Sequence, residues 1–197
     1  MRYSGKSYLF IHLLAIMVFV AGCAVREQVT VEEVPYEKRL SMAEDYHEAG
    51  DVENAAAILN EAVAREPDRP EAYSMLGDIY YGSEDLEGAA REYRRAVERG
   101  NSNPTVFNNL AWVETSLGRH GAALSLIERA IEMGPVPLYP YLDTRARILR
   151  SMGNLHEART SAEMALRLTP ARDTEMRHDL EVFLDELRAL DRSREQF

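Results

Sequence analysis

Small residues recur along this chain at one fixed spacing, and few sequence features constrain a fold more tightly. Ala43, Gly77, Ala111 and Ala146 form one series, and Ala55, Ala89, Ala123 and Ala158 a second. Ala62, Ala96, Ala130 and Ala165 form a third, and Pro67, Asn101, Pro135 and Pro170 a fourth. Every series steps by 34, 34 and 35 residues. Four independent series with a shared step define four copies of one structural unit. Such a unit cannot bury its own faces, so a core arises only when units stack in a row, and the ends of the row need polar caps.

Within each unit the apolar residues follow a helical period on both sides of a turn. The turns read EAGDVENA, GSEDLEGA, SLGRHGAA and SMGNLHEA. Each unit is therefore a helix–turn–helix, with small residues where the paired helices approach most closely. The pattern resembles the tetratricopeptide repeat, whose signature is an aromatic residue, Leu-Gly, Tyr, Ala, an aromatic residue, Ala and Pro at fixed offsets. The second unit carries it most fully, in Tyr73, Leu76, Gly77, Tyr80, Ala89, Tyr93 and Ala96, with Asn101 in the proline place. The resemblance implies an all-α fold, a right-handed α-solenoid of four helix–turn–helix repeats plus a C-terminal capping helix. The units are 36–69, 70–103, 104–137 and 139–172, the extra residue falling in the proline-rich GPVPLYP turn. Residues 173–190 are expected to form the cap, with Asp173 or Thr174 at its start and a stripe of Met176, Leu180, Phe183, Leu184 and Leu187 packed on the last unit. Residues 191–197 are left as a tail.

Two residues depart from the repeat pattern. Glu114 replaces the usual Tyr of a first helix, and Arg145 replaces the usual Leu of the next unit's first helix. Because neighbouring first helices pack side by side, these two are expected to form a partly buried pair. The alternative is that Arg145 snorkels out of the core.

Ahead of the repeats, Arg2 and Lys6 precede an uncharged run from Tyr8 to Val20, followed by Ala21, Gly22 and Cys23. A basic start, an apolar middle and small residues at the end describe a secretory signal peptide. The apolar run would span about 20 Å as a helix, short of a hydrocarbon core of roughly 30 Å. A longer count keeps a single uncleaved anchor as the alternative. Val20-Ala21-Gly22-Cys23 resembles the lipobox of bacterial lipoproteins. In that family the cysteine is lipidated, the leader (here 1–22) is cut before it, and the new amino terminus is acylated. The resemblance implies lipidation at Cys23, a tether over 23–35, and stable anchoring by several acyl chains. Ala24 after the cysteine implies the periplasmic face of the outer membrane. The SGKS at 4–7 lacks the upstream glycine of a phosphate loop and lies in the leader.

No catalytic or metal-binding pattern accompanies this. Cys23 is the only cysteine, so no internal disulfide forms, and the five histidines lie on separate elements without ligand spacing. There is no Gly-x-Ser-x-Gly elbow. The formal net charge of −10 argues against nucleic-acid binding, which needs clustered Lys and Arg. The expectation is a protein that is not an enzyme, with no cofactor, no metal and no small-molecule substrate.

Repeat arrays of this family bind protein segments in the concave groove lined by first helices. Carried over unit by unit, the groove positions include Asp78 and Tyr81 in unit two, Asn108, Trp112 and Thr115 in unit three, and Asp143, Arg147 and Arg150 in unit four. Asn108 stands where relatives use a side-chain amide to bracket a ligand's peptide bond. Trp112, the only tryptophan, is placed on the groove as an aromatic anchor, with burial in the helix-pair core as the alternative. The lysines and asparagines of the family's carboxylate clamp are not reproduced. Charge is polarised, with acid in strong excess through units one and two and a slight basic excess in units three and four. An oppositely polarised partner segment would be steered into one orientation. The expected function is a membrane-anchored adaptor or scaffold of the bacterial cell envelope with a protein or peptide partner. The alternatives are a pilotin-like assembly factor for a secretion or pilus channel, or a regulatory subunit of an envelope enzyme.

Overall fold

The computed structural model describes residues 34–194. The leader, Cys23 and the tether up to residue 33 lie outside the described residues, as do 195–197. Among the described residues the chain is entirely helical. Units one to four supply the pairs α1 Tyr36–Glu48 with α2 Val52–Arg65, α3 Glu71–Gly82 with α4 Leu86–Glu98, α5 Pro104–Ser116 with α6 His120–Glu132, and α7 Tyr139–Ser151 with α8 Leu155–Leu168. A final helix, α9 Thr174–Arg194, packs on α8. Each helix packs against the next along the chain, and α5 also touches α7, so first helices lie beside one another.

The small-residue series are buried at the crossings: Ala43, Ala55, Ala62, Ala89, Ala96, Ala111, Ala123, Ala130, Ala146, Ala158 and Ala165 have no exposed surface. Side chains larger than these would hold the helices apart and open gaps in the core. The core runs continuously along the row, each cluster mixing residues from adjacent units. Tyr73, Tyr93 and Val106, for example, share one cluster across units two and three. Contacts one repeat apart stitch the units further. The Tyr36 hydroxyl accepts the Ala72 amide at 3.0 Å. Tyr139, at the same register in unit four, donates to Asp173 at 3.1 Å. Arg69 bonds Glu37, and Arg119 bonds Glu87, at 2.6 and 2.8 Å.

The turn between paired helices needs one residue in the left-handed region. Gly50, Gly118 and Gly153 fill that place in units one, three and four, with φ of 79°, 75° and 80°. Unit two has Glu84 there, at φ 62°. A side chain in this conformation is strained by roughly 1 kcal/mol, part of which glycine returns through the entropy of the unfolded chain. Glu84→Gly is therefore expected to raise stability by about 0.5 kcal/mol, measured as a higher urea midpoint at unchanged slope.

Glu114 and Arg145 do not pair. Glu114 is 2% exposed, and its carboxylate is held by Arg94 of α4 and by Arg119 at its own turn. Arg145 instead donates to the Ser161 hydroxyl of α8 at 2.6 Å and lies 3.7 Å from Glu128. The reason is direction. The side chain at Glu114 meets Arg94 of the preceding unit's second helix, whereas Arg145, one helical turn earlier in its own register, lies between Ser161 of its own second helix and Glu128 of the preceding one. Asp51 and Asp85 cap α2 and α4 by accepting the amides of Asn54 and Gly88 at 3.2 and 2.9 Å. At the same register Arg119 makes no cap and serves Glu114 instead.

The capping helix buries the expected stripe: Leu180, Phe183, Leu184 and Leu187 join Leu142, Ala146 and Leu149 of α7 and Ala158, Ala162 and Ala165 of α8. Its start is satisfied by Asp173, whose Oδ1 accepts the Met176 amide at 3.3 Å. The helix continues past 190 to Arg194, where Asp191 meets Arg159 of α8 at 3.4 Å.

Candidate functional site

A pocket of about 120 Å³ opens where units two and three meet, lined by Asp78 and Tyr81 of α3, Tyr93 of α4, and Asn109 and Trp112 of α5. Asp78 and Trp112 are 34 residues apart, so they occupy the same register in successive first helices. That equivalence is why the stacking sets one beside the other.

The carboxylate of Asp78 is fixed from two sides. The Tyr93 hydroxyl donates to Oδ1 at 2.5 Å, and Asn109 Nδ2 donates to the same oxygen at 3.2 Å. Helices α3, α4 and α5 thus meet through one oxygen atom. Tyr93 is 1% exposed, and its ring lies directly against Gly77, the one glycine in the first small-residue series. Burial pushes the Tyr93 phenol far above the ordinary tyrosine value of 10.0, and the adjacent Asp78 carboxylate adds to the shift. A phenol harder to ionise in the folded than in the unfolded state contributes its full stability below about pH 10 and loses it as pH rises further. The stability gap between wild type and Tyr93→Phe is accordingly expected to hold steady from neutral pH to about pH 9 and to shrink above pH 10, read from urea melts at each pH.

Of the groove residues read from the sequence, the structure brings Asp78, Tyr81 and Trp112 together. Trp112 is partly buried and Tyr81 is 48% exposed. Asn108 and Thr115 lie on the same helix as Trp112 but outside the lining. The Asn108 Oδ1 is buried without a hydrogen-bond partner among the described residues, and Thr115 Oγ1 donates to the Ala111 carbonyl at 2.7 Å. The amide at the pocket is that of Asn109.

The unit-four residues are engaged elsewhere. Asp143 is 8% exposed and accepts Arg147 Nε at 3.0 and 2.9 Å. Burial raises the Asp143 carboxyl above its usual range, with Arg147 pulling the other way. Arg147 and Arg150 both stack on Phe183 of the capping helix, at 4.9 and 5.4 Å from the ring centre. Arg150 also donates to Glu186 at 2.7 Å. Asp143, Arg147 and Arg150 therefore hold the cap as well as standing in the groove register. Sequence reading missed Tyr93 and Asn109 as lining residues. Tyr93 was legible only as the repeat's buried aromatic, and its hydroxyl is the part that reaches the pocket.

The tetratricopeptide-repeat family model matches residues 40–104 and 76–137, the stretch that contains this pocket. The chain carries tetratricopeptide repeats. No curated protein matches it in sequence. Among solved structures, these repeats superpose on YrrB, described as a TPR protein with an unusual peptide-binding site, with a TM-score of 0.71 at 20% identity over 83% of this chain and 81% of that one. They superpose on the Pseudomonas aeruginosa pilF protein with a TM-score of 0.69 at 19% identity, over 80% and 69% of the two chains. For MamA the TM-score is 0.64 at 21% identity, over 71% and 81%. At these identities the likeness is one of fold.

Proposed function

We propose that this protein is a non-enzymatic, lipid-anchored adaptor of the bacterial cell envelope that holds a partner segment in its groove, centred where repeats two and three meet. One observation carries the binding part: the pocket there joins two aromatic side chains that retain exposed surface, Tyr81 and Trp112, to a carboxylate already held in place by Tyr93 and Asn109. A preorganised site loses less entropy on binding than one that must be ordered by its ligand. Tyr and Trp are favoured anchors because they bring large contact area with few rotatable bonds. A peptide-binding site is named for YrrB, whose fold this chain shares. The anchoring part rests on Val20-Ala21-Gly22-Cys23 and its resemblance to a lipobox. In that arrangement the acyl chains at Cys23 hold the repeats at the outer membrane's periplasmic face.

Each half has its own test. Crosslinked capture with the tethered protein is expected to yield a partner that is lost with Trp112→Ala, and identical partner lists for the two proteins would remove the groove from the proposal. Cys23→Ala is expected to abolish acyl labelling and to leave the leader 1–22 uncut, read as a heavier chain on denaturing gels, because cleavage follows lipidation of the cysteine. A wild-type chain that takes no acyl label and keeps residues 1–22 would instead favour an uncleaved anchor.

A further inference from the structure

The groove reading leaves open what the pocket between repeats two and three takes, and its chemistry points to one class of side chain. Three aromatic side chains line it: Tyr81, Tyr93 and Trp112. With them stands one carboxylate, Asp78, whose two hydrogen bonds both fall on Oδ1. Among the described residues no donor reaches Oδ2. The carboxylate is therefore oriented at one oxygen and open at the other.

Elsewhere among the described residues several aromatic faces, though not those of Tyr46, Tyr139 and Tyr141, carry a cation. Arginine guanidinium groups lie over Tyr36, Tyr73, Tyr80, Phe107 and Phe183 at 3.9 to 5.6 Å from the ring centres. Among the described residues no arginine or lysine covers Tyr81, Tyr93 or Trp112. The pocket thus has the ring faces and the negative charge that attract a cation, without a cation of its own. On the unit-two side the surrounding charge has the same sign, since acid exceeds base strongly through the first two units.

We infer that this pocket binds the arginine or lysine side chain of an extended partner segment, held between the ring of Trp112, the ring of Tyr81 and the free oxygen of Asp78. The inference rests on the groove reading proposed above and specifies its anchor. A cation over an aromatic face gains further when it is partly desolvated and when a carboxylate accepts from it. The competing anchors fare worse. An aliphatic side chain would desolvate Asp78 Oδ2 without offering it a hydrogen bond. An acidic one would face both Asp78 and the acid-rich first two units. A cation alone satisfies the rings and the carboxylate together. Tyr93 and Asn109 act as positioning residues, since they set the Asp78 carboxylate and the cation meets that carboxylate.

Trp112 is the only tryptophan, so its fluorescence reports on this pocket alone. The test titrates the full-length chain in detergent with blocked alanine pentapeptides whose central residue is arginine, lysine, leucine or glutamate. The arginine and lysine peptides are expected to change Trp112 emission saturably, with dissociation constants near about 1 mM, as suits a single anchor. The change weakens with added salt. Asp78→Asn is expected to weaken the arginine peptide about tenfold, and Tyr81→Ala by a smaller factor, with thermal melts confirming that both variants fold. Tyr81 is exposed, so its replacement keeps the test usable if Asp78→Asn unfolds. An equal response to the leucine peptide would overturn the cation while leaving a peptide groove. No saturable response to either basic peptide, or an undiminished one in Asp78→Asn, would also overturn it. The groove reading stands or falls separately, on partner capture by Trp112→Ala.

Discussion

Gly77→Ala is expected to lower stability by about 2 kcal/mol, although alanine is the better helix former. A Cβ at this position would lie 2.5, 2.6 and 2.9 Å from three carbons of the Tyr93 ring, inside any tolerable contact. The ring cannot withdraw freely, because it is 1% exposed and its hydroxyl is bound to Asp78. Overpacking of this kind costs about 3 kcal/mol, and the helical preference of alanine over glycine offsets roughly 1. The other repeats show what accommodates a methyl group here. At the two registers occupied by Gly77 and Tyr93, unit one has Ala43 with Leu59, unit three has Ala111 with Ile127, and unit four has Ala146 with Ala162. The glycine thus belongs with the tyrosine. Gly77→Ala combined with Tyr93→Ile is expected to recover most of the lost stability, so the cycle shows strong non-additivity in chemical-denaturation melts. The repaired protein still lacks the phenol that pins Asp78, and it should bind the basic peptides as weakly as Asp78→Asn. Additive costs would mean that the ring and the glycine do not compete for space.

This pair also shows where sequence reading stopped. Small residues at a fixed step, with a glycine or equivalent at each turn, demand paired helices stacked in a row, because both the period and the size requirement are carried by backbone approach. The same register argument put Asp78, Tyr81 and Trp112 on one face. It failed wherever a side chain's direction or reach mattered. Asn108 and Asn109 are adjacent on one helix and point about 100° apart, and nothing in their identity says which one meets the pocket. An aromatic residue at the Tyr93 register belongs to the buried helix crossing, and the polar atom at the end of its ring extends past that crossing. Arg147 and Arg150 read as groove residues because their register is right. The capping helix then behaves like a further first helix and presents Phe183 and Glu186 to them. One signal was present and overlooked: Arg119 stands at the register where the other units have the cap-type residues Asp51, Asp85 and Asn154, of which the two aspartates cap their helices, and it lies within a few residues of the equally irregular Glu114.

Glu114 carries the second large effect, and its sign depends on what replaces it. Glu114→Ala is expected to cost about 2 to 3 kcal/mol, since it leaves a void in the core and removes the bonds from Arg94 and Arg119. Glu114→Leu is expected to fall within about 1 kcal/mol of wild type, or slightly above it, because a buried charge repays its desolvation only marginally. The other units support that expectation, with Tyr46, Tyr80 and Leu149 at the same register. The arginines released by this change are not stranded: their side chains are 43% and 41% exposed, so both can turn into water. The reverse experiment has no such outlet. Arg94→Ala with Arg119→Ala leaves a carboxylate that is 2% exposed with no cation beside it, and this double variant should be the least stable of the three. The ranking is read from denaturant midpoints at neutral pH. If Glu114→Leu were as unstable as Glu114→Ala, the ion cluster would be contributing net stability. The expected ranking assigns it a different role, in which two arginines from a helix and a turn converge on one buried acid and fix how unit three seats on unit two. That junction is the one that shapes the pocket, so Glu114→Leu should retain stability while weakening the response of Trp112 to the basic peptides.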